Sequence, residues 1–151
     1  MIIQIDSREK ERAIKKIVKY FEDNGIKYIE SKLYAGDYID IENPFLIIDR
    51  KQNIREIATN STTEQARLNE EMEKVKYIGG HMIFLIEQDS IDGEPIESLD
   101  DIMLWSPKKG QGSVSGMRVY RELSKWTYKY PVSFAFCNKN QRSAKRYQKR
   151  K

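Results

Sequence analysis

Two different spacings of apolar residues divide the first part of the chain. Residues 2–6 are apolar and β-branched, which predicts a strand. Residues 9–21 carry apolar side chains along one helix face, at Ile14, Ile17, Val18 and Phe21. We expect this helix to end at Asn24-Gly25, with a second strand over residues 26–33.

Residues 36–49 predict a hairpin of two strands. The segment 36–41 alternates in character, and Glu42-Asn43-Pro44 is typical of a turn. Residues 45–49 form a nearly continuous apolar run, which predicts a central strand buried on both faces.

The rest of the chain alternates between helical and strand patterns. The expected elements are helices over 54–58 and 63–77, a strand over 82–86, a loop over 88–98, a short helix or turn over 99–105, a flexible loop over 106–113, a helix over 115–129, a strand over 132–137 and a helix over 141–149. This order predicts an α/β fold as a single domain over residues 1–151, with a mixed, largely parallel central sheet flanked by helices.

Composition excludes several classes of protein. Hydrophobic residues make up 39% of the 151 residues and charged residues 33%, the balance of a globular protein. No apolar run is long enough for a membrane helix, and the N-terminus lacks the pattern of a signal peptide, so we expect a cytoplasmic protein. One cysteine, Cys137, and one histidine, His81, are too few for a Cys/His zinc site; a buried, inert thiol is expected for Cys137 and a structural role for His81.

Positive charge is concentrated at the C-terminal end. Seven of the 27 basic residues lie within residues 138–151, Lys145 and Arg146 among them, and no acid accompanies them. The preceding residues therefore carry a small excess of acid. Such a basic helix or tail suits contact with DNA or RNA. The alternative is a solubilising helix end whose cations favour its own dipole.

The chemically distinctive feature is a pair of acids beside a lysine. Asp37 lies at the start of the first hairpin strand, while Asp49 and Lys51 lie at the end of the second, where a hairpin brings them together. Two adjacent carboxylates repel one another unless a cation lies between them, and Mg²⁺ is commonly held by one or two carboxylates. Lys51 would position water or neutralise charge on a phosphate. Alone the pattern is weak, since a solvated strand end with an ion pair looks the same.

Further fragments, in the same order along the chain, make the pattern more specific. Asp37…Asp49-Arg50-Lys51 resembles the motif of PD-(D/E)XK nucleases. The chain also resembles the nuclease domain of the XPF/Mus/Hef endonucleases, whose motif is GD-x(n)-ERK-x3-D. The matching fragments are Ile5-Asp6-Ser7-Arg8-Glu9, Gly36-Asp37, Asp49-Arg50-Lys51, Arg67-Leu68 and Ile83-Phe84-Leu85-Ile86-Glu87.

This resemblance implies a restriction-endonuclease-like nuclease fold and an assignment of roles. Asp37 and Asp49 would bind Mg²⁺ or Mn²⁺, Lys51 would be catalytic, and Asp6 and Glu9 would border the same cleft. Arg8, Arg50 and Arg67 would contact phosphate or brace the acids. For Arg50 a purely structural pairing with an acid is an equal alternative. The substrate would be DNA, branched, flapped or joined at a junction, and the enzyme a homodimer.

Two departures from the family pattern stand out. Arg55 occupies the position of the final acid and Glu56 follows it, so Glu56 or a water would have to replace that acid if it matters chemically. Asp49 is one methylene shorter than the family's glutamate. The chain also ends without a tandem helix–hairpin–helix module, so we expect selectivity to come from the nuclease domain, the tail or a partner.

Other readings remain open. The chain could be a catalytically inactive nuclease-fold module that binds DNA or a partner, or an enzyme like Holliday-junction resolvases. Trp105, Trp126, Tyr128 and Tyr130 could stack on bases, although core or dimer packing is favoured for most of them. The compact length suits a protein of a bacterial cell or a phage-infected host.

Overall fold

A computed structural model describes residues 1–8 and 11–138 of the chain. The expected helix over 141–149, and with it Lys145 and Arg146, lies outside these residues, as does Glu9. The described elements are β1 (Ile2–Ile5), α1 (Glu11–Asp23), β2 (Lys27–Glu30), β3 (Tyr38–Asp40), β4 (Asn43–Lys51), α2 (Ile54–Thr62), α3 (Gln65–Tyr77), β5 (His81–Ile86), β6 (Ser90–Ile91), β7 (Glu94–Pro95), a 3-10 helix (Leu99–Leu104), α4 (Gly116–Lys129) and β8 (Val132–Phe136).

A six-stranded sheet in the order β2-β1-β3-β4-β5-β8 forms the centre of the fold. β1 is parallel to β2 and antiparallel to β3, β3 is antiparallel to β4, and β4, β5 and β8 are parallel. The mixed α/β sheet expected from the sequence is therefore confirmed. Because β1 and β4 run in the same direction, the ends of β1, β4 and β5 meet the start of β3 at one edge of the sheet.

Two apolar clusters cover the two faces of this sheet. Ile47 on β4 and Phe84 on β5 belong to the cluster formed with α2, α3 and α4. Their neighbours Ile48 and Leu85 belong to the cluster formed with α1. Successive residues of β4 thus point to opposite cores, as a strand buried on both faces requires. The expected helices on both faces follow from the same arrangement.

The expected hairpin and the expected burial of the cysteine are confirmed. Tyr38 pairs with Ile48 and Ile39 with Ile47 in the predicted hairpin, with a bulge beyond Ile39. Cys137 is a buried free thiol. None of the described helices is long and apolar enough to cross a membrane.

Two element predictions were wrong in part. The second strand is shorter than 26–33, because the backbone N–H of Leu33 is bound by the side chain of Asp6 rather than by a sheet partner. Residues 88–98 are not loop throughout, because β6 and β7 form a short hairpin there. Asp92 and Gly93 connect its strands with φ of 50° and 83°. Asp-Gly is a strong signal for this type of turn, and it was missed.

Candidate active site

The Gly36-Asp37 pair is fixed by contact with the neighbouring strand. Gly36 has φ of +70°, and a Cβ at this position would collide with the side chain of Ile47 and the carbonyl of Ile48. Only glycine meets both conditions without strain. The Asp37 N–H donates to the Ile48 carbonyl at 2.8 Å, so the chain enters β3 with Asp37 beside the end of β4.

The carboxylate of Asp37 is oriented by the main chain. Its Oδ2 accepts from the backbone N–H of Arg50 at 2.7 Å. A short hydrogen bond to an ionised carboxylate is among the stronger ones in proteins, so it holds Asp37 against β4. The predicted convergence of Asp37 with Asp49 follows, since residue 49 directly precedes the donor.

Asp49 and Lys51 form a buried pair at the end of β4. The distance from Lys51 Nζ to Asp49 Oδ1 is 3.5 Å, and the two side chains are 6% and 7% exposed. Lys51 Nζ also lies 6.0 Å from the centre of the Phe84 ring. Residues i and i+2 of a strand share a face, which explains why both side chains reach the same place. A charged amine therefore stands next to a carboxylate in surroundings that exclude most water.

Asp6 has a bracing role in this edge of the sheet. Its Oδ1 accepts from the Leu33 N–H at 3.0 Å and its Oδ2 from Arg8 Nε at 2.9 Å, while its own N–H donates to the Asp37 carbonyl at 2.8 Å. Arg8 also donates to the Leu33 carbonyl at 3.1 Å. The hydrogen bond that Arg8 donates to Asp6 is the main cause of a raised pKa for Arg8. These contacts fasten the segment before Gly36 to β1.

Arg50 points away from Lys51, as its strand position predicts. Its Nε lies 2.7 Å from Oε1 of Glu87, at the end of β5, and both side chains are buried. The structural pairing with an acid, left open in the sequence, is thus present. Direct contact between Arg50 and phosphate remains a prediction that this burial does not favour.

The described site residues expected from the sequence line one cavity of about 260 Å³. Its walls are formed by Asp6, Arg8, Gly36, Asp37, Asp49, Arg50, Lys51, Glu56, Arg67 and Glu71. Arg67 is exposed at 63% of its side chain and lies 3.7 Å from Glu64, so its guanidinium is accessible. Glu9, Lys145 and Arg146 are not among the described residues, and their expected roles stay predictions.

Sequence reasoning missed Glu71, on α3. It stands four residues after Arg67, so both share one helix face, a spacing that could have indicated it. Burial raises the pKa of the Glu71 carboxyl, and the nearby negative charge of Asp49 raises it further, while Arg67, Lys51 and Arg8 oppose the shift. A carboxyl with a raised pKa in a cleft beside a second acid is a frequent sign of a functional site.

Glu56 also lines the cavity, whereas Arg55 lines a neighbouring one. The helix α2 begins at Ile54, and its N-cap Asn53 accepts from the Glu56 N–H at 2.9 Å. Because adjacent residues of a helix point in different directions around its axis, Arg55 and Glu56 face different cavities. Glu56 therefore occupies the place in the cavity that the sequence pattern left without an acid.

The carboxylates of this cavity fit a divalent cation in number and type. Within residues 1–8 and 11–138, no group of three or more His, Cys, Asp and Glu side chains is arranged around a common metal position. Mg²⁺ needs only one or two carboxylates, with water and substrate phosphate completing its shell. Asp37 and Asp49 meet that requirement, and the acidic groups of Asp49 and Glu71 lie close enough to interact, so a bound cation would relieve their repulsion.

The fold and this cavity define a mixed α/β domain of the type found in XPF nucleases, with acids and a lysine at one sheet edge. XPF from Aeropyrum pernix has the same fold, with a TM-score of 0.65 at 15% identity over 97% of this chain and 63% of that chain. XPF from Aeropyrum pernix in complex with DNA gives a TM-score of 0.67 at 16% identity, over 98% and 62% of the two chains. The chain thus spans about three fifths of these relatives.

Sequence comparison places the chain in a family. The model of the ERCC4 domain matches residues 5–147, and the chain belongs to this family. No curated protein matches it in sequence. The resemblance to XPF-type nucleases seen in the motif fragments is confirmed.

Proposed function

We propose that this protein is a metal-dependent endonuclease that hydrolyses phosphodiester bonds in DNA at branches, flaps or junctions. The observation that carries the proposal is the meeting of Asp37, Asp49 and Lys51 in one cavity. Its walls combine oxygen ligands with cationic groups, which is the chemistry that phosphodiester hydrolysis needs.

Each part of the cavity has a distinct task in the proposed reaction. Asp37 and Asp49 would hold Mg²⁺ or Mn²⁺, which supplies an activated water and stabilises charge on the phosphate. Lys51, 3.5 Å from Asp49, would orient the attacking water or neutralise the negative charge of the pentavalent phosphate. Arg8 and Arg67 have more exposed side chains than Lys51, which suits contact with the flanking phosphates.

Retention of all three central groups argues against an inactive relative. A module that only binds DNA has no use for two acids facing a phosphate backbone, because they weaken its affinity. The complex of XPF from Aeropyrum pernix with DNA supports DNA as the polymer. A four-way-junction resolvase remains the alternative substrate class for the same chemistry. The place of action would be the cytoplasm of a bacterial cell or phage-infected host, where such DNA lies.

Cleavage assays with matched substrates test the proposal. Flap, fork, four-way junction and linear duplex of the same sequence are incubated with Mg²⁺, with Mn²⁺, and with EDTA. We expect metal-dependent cuts near the branch point, which Asp49→Asn abolishes without loss of DNA binding. Binding without cleavage under either metal would show an inactive module, and cuts confined to the four-way junction would show a resolvase.

We further propose a homodimer. Exposed apolar side chains at the 3-10 helix and the start of α4 support it, with Met103, Leu104 and Met117 exposed by 38%, 69% and 42%. Gly116 packs closely on the carbonyls of this 3-10 helix, so these side chains belong to one part of the surface. Leu104→Glu should shift the mass in analytical ultracentrifugation from dimer to monomer. A wild-type chain that is monomeric at every concentration would contradict this.

A further inference from the structure

A second cavity of about 360 Å³ adjoins the proposed active site. We call it the Trp105 groove, and its functional lining comprises Asn53, Arg55, Glu87, Trp105, Lys108 and Gln111. The volume lies within the range of about 300–1,000 Å³ in which small ligands bind. Arg50 lines the active-site cavity and its buried partner Glu87 lines the groove, so their ion pair forms part of the wall between the two.

Hydrogen bonds fix the inner wall of the Trp105 groove. Asn53 Oδ1 accepts from the Glu56 N–H at 2.9 Å, and Gln88 Oε1 accepts from the Ile54 N–H at 3.0 Å. Gln88 Nε2 in turn donates to the Ser90 carbonyl at 3.0 Å. These bonds join the start of α2, the end of β5 and the short hairpin, so the wall is preorganised for a ligand.

The side chain of Trp105 gives the groove an aromatic surface that packs against the core on its other side. Trp105 is half-buried, packs against the core below α4 and also lines the groove. The backbone N–H of Trp105 donates to the Ile102 carbonyl at 3.0 Å, and a Cβ at Gly116 would collide with the Trp105 backbone carbonyl. These contacts hold the main chain of residue 105, and because the side chain packs on one side against the core, its remaining surface can bind at a low cost in side-chain entropy.

Two cations complete the groove. Arg55 and Lys108 are exposed, and neither forms an ion pair within the part of the chain that the structure describes. Among the acids that line the groove, Glu87 is neutralised by Arg50, which leaves Asp92. The lining itself has two cations and two acids, and the pairing of Glu87 with Arg50 from outside the groove leaves an excess of one positive charge. Indole, guanidinium and ammonium groups together match a base flanked by phosphates.

We propose that the Trp105 groove binds one unpaired nucleotide of the DNA strand next to the scissile bond. The inference rests on the proposed function for its substrate. Stacking on a tryptophan needs a base with a free face, which a nucleotide inside a continuous duplex lacks. The base lies against Trp105, and its phosphates pair with Arg55 and Lys108. The groove thus selects DNA that carries a single-stranded arm beside the cut.

Binding measurements test the proposal without depending on cleavage. Fluorescence anisotropy compares a flapped duplex with the same duplex without its arm, in EDTA, for wild type, Trp105→Leu, Arg55→Gln and Lys108→Gln. Lys109→Gln is the matched control, because this neighbouring lysine does not line the groove. We expect Trp105→Leu to weaken flap binding about tenfold, from the loss of one stacked base, and to leave duplex binding unchanged.

If Trp105→Leu fails to fold, Arg55→Gln and Lys108→Gln still test the inference. Arg55→Gln and Lys108→Gln should each lower the salt slope of flap binding by about 1, while Lys109→Gln leaves the preference for flaps intact. Tryptophan quenching by an oligothymidylate gives a direct readout, because both tryptophans emit but Trp126 is buried, so quenching by a stacked base comes from Trp105. Quenching confined to chains that retain Trp105 supports the groove.

Two results would overturn the inference. One is an unchanged ratio of flap to duplex affinity in all three groove variants, and the other is equal loss in the Lys109→Gln control. Failure of the proposed function is a separate outcome. If the wild-type chain binds flaps through the groove but cuts no DNA with either metal, the inference about the groove stands and the proposed nuclease activity is refuted.

Discussion

The buried pair of Arg50 and Glu87 gives a quantitative prediction. Glu87→Gln keeps the shape of the side chain but leaves the guanidinium of Arg50 without its charged partner 2.7 Å away. The two side chains are only 7% and 2% exposed, so the cost is that of a buried charge rather than of a surface pair. Surface pairs contribute about 0–1 kcal/mol, whereas breaking a buried pair costs about 3–5 kcal/mol.

A double-mutant cycle measures this cost. We expect Glu87→Gln to lower the free energy of unfolding by about 3 kcal/mol or more, a large share of a typical stability of about 5–15 kcal/mol. Arg50→Met, alone and combined with Glu87→Gln, completes the cycle, and the double variant, which removes both charges, should recover most of the loss. Urea unfolding followed by circular dichroism gives all four free energies.

The same variants decide what Arg50 does. If it braces the sheet edge, the double variant binds and cuts DNA as the wild type does, because Asp37 is held by the main-chain N–H of residue 50. If it contacts phosphate, DNA affinity falls in every variant that lacks the arginine. A loss below 0.5 kcal/mol for Glu87→Gln, on the scale of ordinary surface substitutions, would refute the reasoning from burial.

Three further changes have expected outcomes. Gly36→Ala should lower the free energy of unfolding by about 1–3 kcal/mol in thermal melts, because alanine is strained at positive φ and its Cβ would collide with Ile47. Gly25→Ala is the control for the collision, since Gly25 also has positive φ but its Cβ would lie in open space. Glu71→Gln should raise the free energy of unfolding at neutral pH but not below about pH 4. The Glu71 carboxyl has a raised pKa, so it contributes to the stability of the fold at low pH and loses that contribution as the pH rises through the folded pKa. Equal stabilisation at both pH values in thermal melts would contradict this. Deleting residues 139–151 should weaken DNA affinity and flatten its salt dependence in anisotropy titrations, and an unchanged slope would rule out that role of the tail.

The central part of the site was predictable because local geometry determines it. A hairpin brings Asp37 to the end of the strand that carries Asp49, and the two-residue period of a strand places Lys51 on the same face. The approximate strand and helix order followed from apolar spacing alone. In both cases the relevant neighbours lie close in sequence, so short-range rules were sufficient.

The remainder depended on contacts that short-range rules do not reach. Glu87 meets Arg50 because β5 lies parallel to β4, a pairing that separates the partners widely along the chain. Glu71 on α3 lies near Asp49 of β4, although its spacing of four residues from Arg67 was a short-range indication that it shares the cavity. Asp6 shortens β2 by capturing the Leu33 N–H, where strand propensity alone predicted a longer pairing.

The residues that line the active-site cavity within the described chain all lie between Asp6 and Glu71. The aromatic side of the adjoining groove comes from a later stretch, which joins β5 to α4. Under the proposed function, the residues for bond breaking therefore lie in one stretch of the chain, whereas the groove combines Asn53 and Arg55 of that stretch with Trp105 and Lys108 of the later one. If both proposals hold, exchange of the later stretch between relatives would change the aromatic side of the groove, and with it the preferred shape of DNA, while the acids and the lysine of the cavity stayed in place.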